Sequence, residues 1–445
     1  MKQILLSCIG TTDPVRGEHD GPMLHILRYY RPESAWLIFT PEMRELAMKD
    51  GRFERTLEWI SAHWNGYRPD FRYEELSVRN AHDIDALDIP IHEVMTRLAR
   101  ENHDAEILVN VTSGTPQMQM ILSQLVTDIR YRAKGIQVIN FEKGAGRSQR
   151  ANHSEYDIEL ELECNEDELP EAENRCVEPE MYAIRRQFLR RQIVTLLDDR
   201  NFEALEKLKE SLPENVRALT MHLAARSRLR EKPAKQLADE VKGLPFKLYA
   251  YKTGSRREYS DASEYYLMMK NLVKTGNYTQ FLLHLEPLTL TLQLAQLDRL
   301  LNKTGGEIDK FISRERRRLF YPDRLKDVRP DLYRHYEKIM NERRWEIKQN
   351  EASTMLCDDL ISFFPDVPPR SRSLFAHYAG LKDLRNRLAH TLVTVTEEEI
   401  KDACGITSDK LLKEIEDVIR ICYPACDPVI FGVYDECIEY IKSVI

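Results

Sequence analysis

At 445 residues, 42% hydrophobic and 31% charged, the chain is long enough for two or three domains, each with a core beneath a strongly solvated surface. A net charge of −8 provides no global basic field, so any contact with nucleic acid must be local. No stretch approaches about 18 uninterrupted apolar residues, so no membrane-spanning helix is expected.

The eight cysteines are scattered. Cys422 and Cys426 are the closest pair, but no second pair or nearby histidine completes a zinc set. Free thiols in a reducing cytosol are expected, with no bound metal. The short apolar run after Met1-Lys2 ends at once in Thr11-Thr12-Asp13-Pro14 and reads as a buried strand, not a signal sequence.

Residues 2–164 alternate between strand-like and helical patterns. The predicted strands are Gln3–Ile9, Ala35–Thr40, Phe71–Ser77, Glu106–Thr112, Ile136–Phe141 and Asp157–Glu163. Helical patterns between them include Pro41–Met48, Glu54–His63, Ile91–Glu101 and Pro116–Arg130. Apolar strands separated by helices predict an α/β Rossmann-like domain, its mostly parallel sheet covered on both faces.

In such sheets ligands lie beyond the carboxyl ends of the strands, at the topological switch point. Two strand ends are rich in hydroxyl and amide groups. The first is Ser7-Cys8-Ile9-Gly10-Thr11-Thr12-Asp13-Pro14, and the second is Asn110-Val111-Thr112-Ser113-Gly114-Thr115-Pro116-Gln117. Gly114 permits a tight turn, Thr115 suits a helix cap and Pro116 fits the first helical position. The amides there could hold an anion such as a phosphate. Neither loop is a Gly-x-Gly-x-x-Gly or a P-loop, which argues against NAD binding and ATP hydrolysis.

Residues 165–180 are acidic, lack apolar periodicity and read as a linker. Beyond Glu180 every long pattern is helical. Glu180–Leu197, Phe202–Glu210, Glu214–Arg230 and Ala234–Lys242 form a short bundle, closed by the breaker-rich Lys252-Thr253-Gly254-Ser255. The last region holds helical patterns at Ser263–Lys274, Tyr278–Leu285, Leu288–Leu301, Ile308–Leu319, Asp331–Gln349, Ser353–Phe364, Ser371–His390, Ser408–Cys422 and Phe431–Val444. Pro287 should break or kink the chain between the second and third of these. Arg314, Arg316, Arg317 and Arg318 form the densest basic cluster, tempered by Glu315.

One stretch carries chemistry, Leu384-Arg385-Asn386-Arg387-Leu388-Ala389-His390. Arginine followed five residues later by histidine also occurs at Arg217…His222 and Arg372…His377. Only the last copy has the adjacent asparagine and follows an apolar stripe, Leu381, Leu384 and Leu388, at helical spacing. RNA carries its own nucleophile, the 2′-hydroxyl. An unperturbed histidine, with a pKa of about 6.5, can move the proton near neutral pH. Arg385 can hold the scissile phosphate with a permanently charged fork, and Asn386 can orient the histidine or the phosphate. The products would be a 2′,3′-cyclic phosphate and a 5′-hydroxyl, and no metal is required. Five residues turn a helix by about 500°, so Arg385 and His390 of one chain point in different directions. A second copy of the chain would most easily close the site.

The Arg-Asn-x-x-x-His motif after a Leu-rich helix resembles the HEPN superfamily, whose ribonucleases act as dimers. The loop Asn110-Val111-Thr112-Ser113-Gly114-Thr115-Pro116 resembles the CRISPR-associated Rossmann-fold (CARF) sensor domain. Together they resemble the ancillary ribonucleases of type III CRISPR systems over nearly the whole chain, with the middle bundle matching least. The resemblance implies a CARF sensor over residues 1–165, a helical linker bundle over 175–245 and a HEPN domain over 255–445. Arg385, Asn386 and His390 would be catalytic. Ser7, Gly10, Thr11, Thr12, Asn110, Thr112, Ser113, Gly114, Thr115 and Gln117 would bind the activator.

The resemblance further implies a cytoplasmic homodimer that cleaves single-stranded RNA when a cyclic oligoadenylate binds across paired sensor domains. An even-numbered ring can share the two-fold axis of such a dimer. Tetra- and hexa-adenylate both occur in the family, and hexa-adenylate is the working expectation. Members can also degrade their activator, which would draw attention to Thr112 or Thr115. Two other readings are a nucleotide-sensing transcriptional regulator, which leaves the motif unused, and a HEPN toxin, which leaves the first 165 residues unexplained.

Overall fold

In the computed structural model the described residues are 2–78, 80–139, 156–249, 257–313, 318–390 and 393–445, without the side chains of residues 215, 257–259, 389 and 390. The chain divides into two compact units, Met1–Phe188 and Leu189–Ile445.

The first unit is built on six strands: β1 (Gln3–Cys8), β2 (Ser34–Phe39), β3 (Asp70–Glu75), β4 (Glu106–Asn110), β5 (Ala133–Val138) and β6 (Cys176–Val177). Their order is β3-β2-β1-β4-β5-β6, parallel from β3 to β5, with β6 antiparallel to β5. Alternate residues of the strands enter two separate cores, as the period of two requires. Ile4, Leu6, Trp36, Ile38, Ile107 and Val109 pack beneath the helices Ile84–Glu101 and Pro116–Thr127. Leu5, Ala35, Leu37, Phe39, Leu108 and Ile136 pack on the opposite face, against the helices Pro22–Tyr30, Pro41–Asp50 and Arg52–His63. The mostly parallel sheet covered on both faces is therefore as expected.

The sixth strand is not where the alternation placed it. Ile158–Glu163 is a helix, capped by Asp157, whose carboxylate accepts the amides of Glu159 and Leu160. Alternating Ile-Glu-Leu-Glu reads equally as a strand; the aspartate cap tips it to helix by taking two otherwise unpaired amides. The edge position goes instead to Cys176–Val177.

Residues 165–168 and Arg175, within the stretch expected to be a linker, are packed into the first unit instead. Asn165 and Asp167 are buried, each 4% exposed. Asp20 accepts Arg28 Nε (2.6 Å) and Nη2 (2.8 Å), together with Asn165 Nδ2 (2.7 Å). Asp167 accepts the Asp20 amide at 2.7 Å and Arg175 Nη2 at 2.6 Å. His25 Nε2 accepts the Arg175 amide at 3.0 Å, and Glu168 pairs with Arg28 at 2.9 Å. Asp20, His25 and Asp167 come within 4.8 Å of one another, the spacing of a metal site. Their oxygens and ring nitrogens already face Arg28, Arg175 and Asn165, so the cluster is a buried ion network. Of the acidic residues in this segment, Asp167 is neutralised by Arg175 eight positions on and Glu168 by Arg28, 140 positions back.

Among the described residues the second unit is mainly helical, with a two-residue ladder of Leu319–Phe320 with Asn350–Glu351 and a single bridge from Ile312 to Phe320. One core runs from Ile193 and Leu197 through Leu219 and Leu223 to Tyr434 and Ile441, so the helices between 202 and 240 share it with the C-terminal helices. Tyr278–Lys303 is a single helix passing through Pro287, and the expected break does not occur. The missing amide costs about 3 kcal/mol. It is offset by burial of Phe281, Leu282, Leu285, Leu288 and Leu292 along the same side. Thr291 Oγ1 also donates to the Pro287 carbonyl at 2.9 Å.

In the pattern at Ile308–Leu319 the described residues form a short turn at Ile308–Lys310 and, at Leu319, the start of the ladder strand. Arg314, Arg316 and Arg317 of the basic cluster lie outside the described residues. All eight cysteines are free, and no helix among the described residues is long and apolar enough to cross a membrane.

Candidate functional site

The reversal in strand order falls between β1 and β4, and both hydroxyl-rich loops leave the carboxyl ends of these neighbours. Ser7 and Asn110 are register partners, and Asn110 Nδ2 donates to Ser7 Oγ at 2.9 Å. Asn110 Oδ1 accepts the amides of Thr112 (2.9 Å) and Ser113 (3.3 Å). Thr112 Oγ1 accepts the Val138 amide at 2.8 Å, and Thr115 Oγ1 both donates to Ala81 O (2.7 Å) and caps the following helix. The side chains of Ser7, Asn110, Thr112 and Thr115 are thus engaged within the protein and shape the loops.

Gly114 has φ +87°, and a Cβ there would lie 3.0 Å from Cys8 Cβ, so both its conformation and its packing require glycine. A Cβ on Gly10 would lie 3.1 Å from Gly114 N, which brings the two loops into contact. Thr11 and Thr12 are exposed on the first loop. Gln117, in the first turn of the second helix, keeps Oε1 buried without a hydrogen-bond partner.

Asp13 is the residue that sequence reasoning missed. Fully buried, it accepts the Gly10 amide at 2.9 Å and the Met23 amide at 3.0 Å, so it closes the first loop and caps the helix behind it. Burial pushes its carboxyl above the usual range, against those two bonds. An aspartate directly before proline at a strand end was the available signal.

In the second unit the motif lies on the helix Pro369–His390. Leu381, Leu384 and Leu388 form the expected buried stripe. Asn386 is exposed and Arg385 is half-buried on the flank, as helical spacing requires. His390 closes the helix, and its side chain lies outside the described residues. Arg385 Nη2 pairs with Glu286 at 2.7 Å, and its Nη1 stands 3.4 Å from Asn386 Oδ1.

One turn earlier, Lys382 lies 3.9 Å from Asp358, whose other oxygen accepts Gln293 Nε2. Burial pushes the Asp358 carboxyl up to about 6 against the pull of Lys382. Glu286, Asp358, Lys382 and Gln293 come from three helices, so no local motif could have announced them.

The histidines of the other two Arg…His copies make bonds within the protein. His222 is fully buried and bonds the Ala234 carbonyl at 2.8 Å; burial lowers its pKa to about 4 and leaves it neutral. His377 is bonded to Glu414 at 2.7 Å, and Ser373 holds the other Glu414 oxygen.

Comparison with known proteins agrees in both units. The Cas_Csm6 CARF domain matches residues 71–176, and the Cas_Csm6 HEPN domain matches residues 250–442. The CRISPR system endoribonuclease Csm6 of Mycobacterium tuberculosis (strain ATCC 25618 / H37Rv) is 26% identical over 414 residues, 92% of each chain. The Csm6 endoribonuclease of Enterococcus italicus is 30% identical over 213 residues, 47% of this chain and 48% of the relative. In fold, the chain is similar throughout to the structure of Enterococcus italicus Csm6 bound to cyclic hexa-2'-fluoro-hexa-dAMP, with a TM-score of 0.67 and 20% identity over the full length of both. Two domains in this order, with an endoribonuclease relative spanning 92% of the chain, place the protein in the Csm6 family of type III CRISPR endoribonucleases.

Proposed function

We propose that this endoribonuclease cleaves single-stranded RNA at Arg385, Asn386 and His390 without a metal, and that a cyclic oligoadenylate bound at the β1 and β4 loops switches it on. The observation that carries the reading is the contrast among the three Arg…His copies. His222 and His377 are consumed by internal bonds, whereas Arg385 and Asn386 lie together at the surface of a helix anchored by its leucines.

The chemistry follows from those groups. His390 removes or returns the proton as the 2′-oxygen attacks, and Arg385 takes up the charge developing on the phosphate. The divergence of Arg385 and His390 on one helix calls for a homodimer in which two motif helices complete the site. Within this reading, residues 1–165 act as sensor and 255–445 as nuclease, in the cytoplasm.

In the sensor, Thr11, Thr12 and Gln117 present hydroxyl and amide groups suited to phosphates and adenine edges, on a frame set by Ser7, Gly10, Asn110, Thr112, Ser113, Gly114 and Thr115. A ligand there acts only through its difference in affinity for inactive and active arrangements of the paired chains. The bound ligand of the Enterococcus italicus structure favours a ring of six nucleotides over tetra-adenylate.

The test is cleavage of a labelled single-stranded RNA, in EDTA, with no activator, cyclic tetra-adenylate or cyclic hexa-adenylate. Stimulation by hexa-adenylate in EDTA is expected. A strict requirement for divalent metal, or no response to either ring, would overturn the corresponding part.

Gln117→Ala should raise the activator concentration for half-maximal cleavage by about tenfold, the worth of one lost hydrogen bond to the ligand. An unmoved activation curve would remove Gln117 from the site. His390→Ala should bind the ring as wild type does in isothermal titration.

A further inference from the structure

The Arg385 guanidinium is already held before any phosphate arrives. Its Nη2 is paired with Glu286 Oε2 at 2.7 Å, and both side chains are about one-third exposed, 30% and 34%. Glu286 stands on the helix Tyr278–Lys303, which packs against the motif helix. Nε of Arg385 is buried without a hydrogen-bond partner, and Nη1 lies beside the exposed Asn386. One side of the fork is therefore gripped, one is enclosed, and the Nη1 side faces the neighbourhood of the asparagine.

Two further observations make the grip specific. Lys382, a neighbouring cation on this helix, has its own carboxylate in Asp358, which Gln293 also holds. Tyr378, seven residues and so about two turns before Arg385 on the same side of the helix, is 1% exposed. Burial raises the Tyr378 phenol, and the charges of Glu286 and Arg385 act on it in opposite senses, so all three groups share one neighbourhood.

A carboxylate beside a phosphate-binding arginine has two opposed effects. It lowers the net positive charge that the phosphate meets, and it removes the rotational freedom of a long side chain before the reaction. The second effect wins when the carboxylate takes a nitrogen that the phosphate does not need. Here it takes Nη2, while Nη1 remains beside Asn386.

We propose that Glu286 is a positioning residue of the nuclease site, holding Arg385 so that its Nη1 edge and Asn386 together receive the scissile phosphate. The proposal rests on Arg385 being the phosphate-binding residue, as argued above. Glu286 itself touches neither RNA nor the transferred proton.

The test is steady-state RNA cleavage by full-length Glu286→Ala, Glu286→Gln, Glu286→Asp and Arg385→Ala, without and with cyclic hexa-adenylate, alongside thermal unfolding. Glu286→Ala is expected to lower kcat by about 10- to 100-fold with KM changed less than about threefold, because misplacement affects the transition state more than binding. Glu286→Asp should recover part of the loss, with melting unchanged in all four proteins. Glu286→Gln, of the same shape, settles the matter if the alanine variant folds poorly. A kcat for Glu286→Gln and Glu286→Ala within about twofold of wild type would overturn the proposal. So would a rise in activator-free cleavage, which would make Glu286 a brake. Full activity in Arg385→Ala would instead overturn the underlying assignment of Arg385.

Discussion

Replacing His390 or Arg385 with alanine is expected to lower RNA cleavage by at least about a hundredfold, since proton transfer and phosphate charge stabilisation each contribute on the order of that much or more. Stability should hardly change for Arg385→Ala, because the side chain lies on the flank of the buried stripe and its pair with Glu286 is partly solvated. The same substitutions in the other copies should have the reverse signature. His222→Ala empties a fully buried position and removes the bond to Ala234, so it should lower melting and leave the catalytic step intact in the folded protein. His377→Ala removes a bond to Glu414, and Arg217→Ala removes a 3.2 Å bond to the Leu212 carbonyl; both should cleave at close to the wild-type rate. Cleavage rates and melting curves for the five proteins decide the matter. An essential His377 with a dispensable His390 would mean that the wrong copy has been assigned.

Arg28→Ala is expected to destabilise the first unit by about 3–5 kcal/mol, the cost of leaving one member of a buried ion pair uncompensated. Asp20 is 4% exposed, and burial alone would push its carboxyl up. Bonds from Arg28, His25 and Asn165 more than offset that and hold it below the usual carboxylate range. A depressed carboxylate contributes stability above its unfolded value of about 3.9 and loses it as pH falls through the folded value. In Arg28→Ala the sign reverses, because burial then dominates and protonation relieves the strain. The deficit against wild type should therefore shrink on acidification from pH 7 towards pH 5. Denaturant unfolding at the two pH values measures it. A deficit below about 1 kcal/mol at pH 7 would mean that Arg28 is an ordinary surface ion pair.

The network around Asp20 also shows where a reading by composition fails. Residues 165–180 lack apolar periodicity because their burial is ionic: Asp167 and Glu168 meet Arg175, Arg28 and the indoles of Trp59 and Trp64. Periodicity detects apolar faces only. At Pro287 the chain does not break, for the opposite reason. A local rule about one missing amide was applied to a helix whose leucine stripe makes continuation cheaper than a break. At Asp157–Glu163 alternation was ambiguous, and a single capping aspartate decided it.

By itself the sequence determined the elements whose cause is local or periodic. These are the parallel strands, whose apolar runs must be covered on both faces, the loops ending β1 and β4, and the motif helix with Leu381, Leu384 and Leu388 turned inward. It also singled out Arg385-Asn386…His390 from two copies of the same spacing. Only the tertiary structure decided which of the loop residues are scaffold. Ser7, Asn110, Thr112 and Thr115 look identical in kind to Thr11 and Gln117 until their hydrogen-bond partners in other segments are known. Only it joined Asp13 to Met23, Asp20 to Arg175 through Asp167, and Glu286 to Arg385. The physical reason is common to all three. Hydrogen bonds and ion pairs form between groups a few ångströms apart in space, and separation along the chain carries no trace of that distance until the apolar cores have packed.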